Sequence, residues 1–122
     1  MVKRYRLESM PHAQANVGIE EFFGDVIAVY LYSYQTMVAR IDLETRPATL
    51  YCTGTYSVTT ARHINRFTTE FCGRNLYYEC KKAVETTHGY AEAKVNAQID
   101  MRDVLTAIYR YREHGKRFCG KY

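Results

Sequence analysis

Tyr56 to Phe67, YSVTTARHINRF, gathers one serine, two threonines, two arginines, a histidine and an asparagine in one short stretch. Three chemistries fit it. In the first, Ser57, Thr59 or Thr60 is a nucleophile and His63 its base, because residues three or four apart on a helix share a face. That reading also needs an orienting acid and an oxyanion hole. The stretch contains no acid, and the nearest in sequence are Asp42, Glu44 and Glu70. In the second, the first-turn amides and the Thr59 and Thr60 hydroxyls form a small anion nest. Arg62 and Arg66 would then stand on the exposed side, where a guanidinium fork suits phosphate. In the third, Ser57 is an N-cap, its hydroxyl accepting from the amide of Thr59 or Thr60. The threonines then fill the first turn, His63 packs against a strand, and the arginines form a solvated face. Spacing alone leaves all three open.

A second basic feature closes the chain. Arg110, Arg112, Lys116, Arg117 and Lys121 are offset by Glu113 and interleaved with Tyr109, Tyr111 and Tyr122. It reads either as a solvated helix end with a basic tail over 116–122, or as a patch for nucleic acid or an acidic protein. The candidate binding set is therefore Ser57, Thr59, Thr60, Arg62, His63, Arg66, Arg110, Arg112, Lys116 and Arg117. None is assigned a catalytic role. The four cysteines, Cys52, Cys72, Cys80 and Cys119, lack any C-x-x-C pairing. In a cytoplasmic chain they read as reduced, buried thiols. Tetrahedral ligand spacing is absent, so neither a metal nor another cofactor is expected.

These residues need elements to hold them. Residues 1–16 read as an extended arm, with a short strand at RYRLE that alternates Arg4 and Arg6 against Tyr5 and Leu7. VGIEEFFG suggests one helical turn ended by Gly24. DVIAVYLYS is rich in β-branched and aromatic residues on both faces, as in a central strand covered on both sides. TMVARID follows a tight SYQ connection, LETRP is a turn, and ATLYCTGTY is a third strand ended by Gly54. Short connections argue an antiparallel meander. From Val58 the period changes: Ala61, Ile64, Phe67 and Phe71 make one helix face, stopped at Gly73. NLYYECKKAVET is a second helix. YAEAKVNAQI alternates strictly and reads as strand against its helical composition. Asp100 caps a last helix with Met101, Val104, Leu105, Ile108 and Tyr111 inward. The expectation is one α+β domain over 1–122, with a three- to four-stranded antiparallel sheet. Helices over 58–72, 75–87 and 101–114 would pack on one face.

Composition sets outer bounds. A chain of 122 residues is one domain and buries roughly two-thirds of its unfolded surface without staples. The net charge of +4 permits an anionic partner. Twelve tyrosines against five phenylalanines and no tryptophan favour sheet faces or half-wet interfaces. No apolar run approaches the ~18 residues of a membrane span, and the basic start is not followed by the apolar core of a secretory signal. The expected location is cytoplasmic, with no membrane partner. A small sheet leaves an edge strand exposed, and a homodimer would cover it.

SYQTMVARID and LYCTGTYSVTTARHINRF together resemble a family of small bacteriophage proteins. Its pattern is S-Y-x-T-x-V/I-A-x-x-D, a short turn, then Y-S-x-T-T-x-R/K-H. Ser33, Tyr34, Thr36, Val38, Ala39, Asp42, Tyr56, Ser57, Thr59, Thr60, Arg62 and His63 match it. Members commonly carry Gly where Gln35 stands. The resemblance implies a phage protein in the host bacterial cytoplasm, and assigns no residue a role. It implies a non-enzymatic binder of a host protein or nucleoprotein, for example an anti-CRISPR-like inhibitor of defence. A direct nucleic-acid-binding module, and an enzyme or nucleotide-binding protein using Thr59, Thr60 and His63, are the alternatives.

Overall fold

The structure is a computed structural model that describes residues 1–9, 14–54, 56–87 and 91–114. It is α+β. Six antiparallel strands lie in chain order: β1 (Val2–Ser9), β2 (Ala15–Phe22), β3 (Asp25–Ser33), β4 (Thr36–Asp42), β5 (Thr49–Cys52) and β6 (Ala93–Lys94). The expected sheet of three to four strands is too small, because two of its strands hide in the first 22 residues. The arm expected over 1–16 supplies β1, which pairs along its length with β2. VGIEEFFG is not helical. Val17 and Ile19 are fully buried while Glu20 and Gly18 face the other way, so a period of two overrides the helical preference of its glutamates. Phe23 (φ 51°) and Gly24 (φ 86°) are both left-handed and close a two-residue hairpin into β3.

Three helices cover one face: α1 (Val58–Cys72), α2 (Tyr77–Thr86) and α3 (Met101–His114). Ser57 caps α1, accepting from the Thr60 amide at 3.1 Å, and Gly73 ends it at φ 79°. Ile64, Phe67 and Phe71 are fully buried against Val29, Leu31, Ile41 and Leu50 of the sheet. Each such side chain contributes roughly 1.5–3 kcal/mol of transfer free energy. The Thr68 hydroxyl donates to the Ile64 carbonyl (2.8 Å) and accepts from the Leu76 amide (3.0 Å), tying the end of α1 to the start of α2. Asp100 opens α3 by accepting from the Arg102 amide at 2.9 Å. Val104, Ala107, Ile108 and Tyr111 form its buried stripe, and Leu105 is exposed instead of inward. The helix turns its 104/107/108/111 face to the core, and Leu105 lies about 100° round the helix from Val104, beyond the edge of that stripe.

Of the strand expected over 90–99, the described residues keep the burial alternation, with Ala93, Val95 and Ile99 buried between exposed neighbours, but only Ala93–Lys94 is strand, and the Ala97 amide turns back to the Val95 carbonyl at 3.0 Å. The segment pairs with β5 only at Ala93–Lys94, with an isolated bridge between Ala48 and Ile99. The cysteine reading is corrected. Cys52 of β5 and Cys80 of α2 form a disulfide, their Cα atoms 5.8 Å apart, and Cys72 is free and buried. Positions 28 apart in sequence meet because α2 folds back over β5, which no spacing rule reveals. None of the described helices is long and apolar enough to cross a membrane.

Candidate functional site

The polar residues gather in two places, on opposite faces of β3. The first is YSVTTARHINRF. Ser33 on the helix-covered face of β3 lies 3.0 Å from the Thr60 hydroxyl and 2.9 Å from His63 Nδ1. Ser57 donates to Thr60 Oγ1 at 3.2 Å. Each hydroxyl has one proton and two acceptor lone pairs, so a neutral imidazole completes the chain in either tautomer: with Nδ1 bare, Thr60 donates to Ser33 and Ser33 to Nδ1; with Nδ1 protonated, the ring donates to Ser33 and Ser33 to Thr60. Burial, with Arg66 adding to it, lowers the His63 pKa and favours that neutral ring. Ser33 is 2% and His63 7% exposed. The Tyr34 ring leans on the imidazole with centroids 6.1 Å apart. Among the described residues no carboxylate bonds to His63, and such a carboxylate is the orienting acid that the nucleophile reading needs.

The two halves of the resemblance pattern therefore meet in space. Ser33 and Tyr34 come from one half, Ser57, Thr60 and His63 from the other, and together they pin the start of α1 to the end of β3. The geometry is that of a brace. Thr59 is half-buried beside it, and Arg62 and Arg66 are exposed on α1.

The other candidates do not join this cluster. Arg112 bonds to Glu21 at 2.6 Å, fastening α3 to the end of β2. Arg110 lines a shallow cleft with Thr106, Tyr109 and Glu113. Lys116 and Arg117, with the rest of the basic tail, lie outside the described residues, as do the expected end of the second helix at His88–Gly89 and the glycine closing the last helix.

The second place escaped motif reading. Register sets Arg6 opposite Gly18, Gly18 opposite Tyr30, Tyr30 opposite Arg40, Arg40 opposite Tyr51 and Tyr51 opposite Lys94. All six stand in one row on the outer face, where no helix packs among the described residues. The central strand is thus not covered by helices on both sides. Tyr30 is buried there by side chains of neighbouring strands. Arg4 lies 4.5 Å over its ring, and its hydroxyl donates to Glu20 at 3.0 Å. Burial, reinforced by Glu20, raises the Tyr30 pKa, so the phenol remains a donor. Arg40 grips Glu92 with two nitrogens, at 3.1 and 2.8 Å, and lies 4.4 Å over Tyr51. Cations over rings in this geometry gain roughly 0.5–1 kcal/mol at exposed sites. The available sequence signals were the alternation of Arg4 and Arg6 and the excess of tyrosine. Neither says which rings and cations share a face.

The described residues hold no group of three metal-ligating side chains. The chain belongs to a family of unknown function (DUF8033), whose model matches residues 5–86. That span holds the brace and most of the outer row. No curated protein and no solved structure matches the chain.

Proposed function

We propose that the protein is a non-enzymatic binder that acts in an infected bacterium. It attaches to a host nucleoprotein, with its outer sheet face laid against the partner's single-stranded nucleic acid. The observation that carries this reading is the row Arg6–Gly18–Tyr30–Arg40–Tyr51–Lys94, which interleaves cations and aromatic rings on an uncovered face. Single-stranded nucleic acid is bound by this combination, cations following the backbone and rings accepting bases; the half-buried Tyr51 and the neighbouring Tyr32 are the rings on offer, Tyr30 being buried beneath Arg4. The net charge of +4 agrees in sign. The host setting, and a role in blocking a defence complex such as a CRISPR effector, rest on the phage resemblance. The buried Ser33–Thr60–His63 chain supports the non-enzymatic part, since its hydroxyls are spent on one another.

A salt titration tests the reading. A labelled single strand should bind and should weaken steeply between about 50 and 200 mM salt. Arg40→Glu should weaken it further. No binding at the lower salt, or capture from infected cells of a partner that lacks nucleic acid and ignores Arg40→Glu, would overturn it.

A further inference from the structure

We infer that the cavity on the outer face of β1, β2 and β3 is a nucleotide subsite, holding a base against Tyr32 and a phosphate against Arg4 and Arg6. The inference rests on the reading of this face as a nucleic-acid surface and adds the ligand class and its position.

The cavity has a volume of about 430 Å³ and is lined by Arg4, Arg6, Asn16, Gly18, Tyr32 and Gln35. Sites for small molecules span roughly 300–1,000 Å³, so a single nucleotide is a fitting occupant. Register explains why space exists here. Gly18 sits between Arg6 and Tyr30 in the cross-strand row and puts no side chain on the face. A glycine inside a strand often marks close approach by a ligand.

The walls divide the labour. Arg4 spends Nη2 on Glu20 and Tyr30, at 3.2 Å each. Those bonds orient its guanidinium, which carries five N–H donors in all. A second guanidinium, that of Arg6, lines the same cavity, and paired forks of this kind match phosphate oxygens. Tyr32 is half-buried, its ring 6.3 Å from that of Tyr30, and offers the stacking surface. Asn16 Oδ1 is shut from water and has no hydrogen-bond partner among the described residues. Buried polar atoms in that state are rare and call for an explanation. With the Asn16 amide turned towards the cavity, a base carrying an exocyclic amine would supply the missing donor.

Gln35 is the most telling wall. It stands at φ 69°, directly after Tyr34 at φ 52°. Two successive non-glycine residues in the left-handed region are strained, and such strain persists where a side chain is needed. Glycine would relieve the turn but would remove the amide that lines the cavity.

That conflict makes the experiment. Calorimetric titrations of the full chain use AMP, GMP, CMP and UMP, and separately a labelled single strand of about eight nucleotides. Gln35→Gly should raise the melting temperature and weaken binding several-fold, an opposition that a purely structural residue would not show. Tyr32→Ala and Asn16→Ala should each weaken binding by about tenfold, as loss of a stacked ring or a paired acceptor does. AMP, CMP and GMP, whose bases carry exocyclic amines, should bind more tightly than UMP. Binding of free nucleotides assigns the site to a nucleotide ligand. Binding of the strand alone, weakened by the same variants, assigns it to one unit of a strand. If the strand binds and responds to Lys94→Glu but not to Tyr32→Ala, Asn16→Ala or Gln35→Gly, the subsite is wrong and the face reading survives. If neither strand nor nucleotide binds, both readings fall.

Discussion

Tyr32 and Ser33 are adjacent on β3 and lead opposite lives. Ser33 faces the helices, where its hydroxyl sits in a closed chain with Thr60 and His63. Tyr32 faces outward beside Arg4, Arg6 and Asn16. The turn that follows repeats the split: Tyr34 leans on His63 while Gln35 lines the outer cavity. Both regions are rich in polar groups. The inner one is dry, and its hydroxyls and ring nitrogen match one to one, so it positions two elements. The outer one is half-wet, with its cations and rings on the surface of the sheet where a ligand can reach them. Density of functional residue types does not separate a brace from a binding surface; burial and the balance of donors and acceptors do.

The comparison breaks first at His63. His63→Ala should cost about 2–4 kcal/mol in urea unfolding, because it leaves a cavity and takes away one of the two partners of the buried Ser33 hydroxyl. Strand binding per folded molecule should not change. A cost under about 1 kcal/mol, or a selective loss of binding, would make the inner cluster a site after all.

Acidity should strain the same region. The folded His63 pKa lies below the usual 6.5, so the unfolded chain takes up a proton that the folded chain resists. The stability contributed by neutral His63 is therefore complete above about pH 6.5, and is lost as pH falls towards the folded pKa. Thermal melts of the parent should fall more steeply than those of His63→Gln across this window. Parallel slopes would show that the imidazole is not held neutral.

Ser57→Ala should cost about 1 kcal/mol, the ordinary loss of an N-cap, with binding intact. Smallest in stability is Arg40→Ala, at about 1 kcal/mol or less, since partly exposed ion pairs contribute little. Its effect should instead appear in strand binding. Were Arg40→Ala to destabilise more than His63→Ala in the same urea series, the outer row would be the structural element and the contrast would invert.

The helices were legible because their signals are local. Ile64, Phe67 and Phe71 recur at helical spacing, Ser57 precedes and Gly73 follows. The six strands were less so. Glu20, Glu21 and the paired Phe22–Phe23 disguise β2 as a helical turn, whereas the RYRLE alternation marks the middle of β1 without its full length, Val2–Ser9. Gln35 is instructive in a different way. Its left-handed φ is one that glycine adopts freely, but only the fold shows what its side chain lines. Leu105 was misplaced because two adjacent apolar residues, Val104 and Leu105, cannot both lie at the centre of one helical stripe, and the packing of α3 chose the first.

The sequence by itself determined the α+β class, the three helices, the cap on α1 and the existence of the Ser57–His63 cluster. Each depends on residues within a few positions of one another, where propensity, capping and period operate. The tertiary structure alone decided that Ser33 closes the cluster into a brace, that Cys52 meets Cys80, and that Arg6, Tyr30, Arg40 and Tyr51 stand in one row. Those contacts join strands and helices far apart in the chain. Their partners are chosen by register and by which face is buried, and a shift of one residue would have sent every one of these side chains to the other side of the sheet.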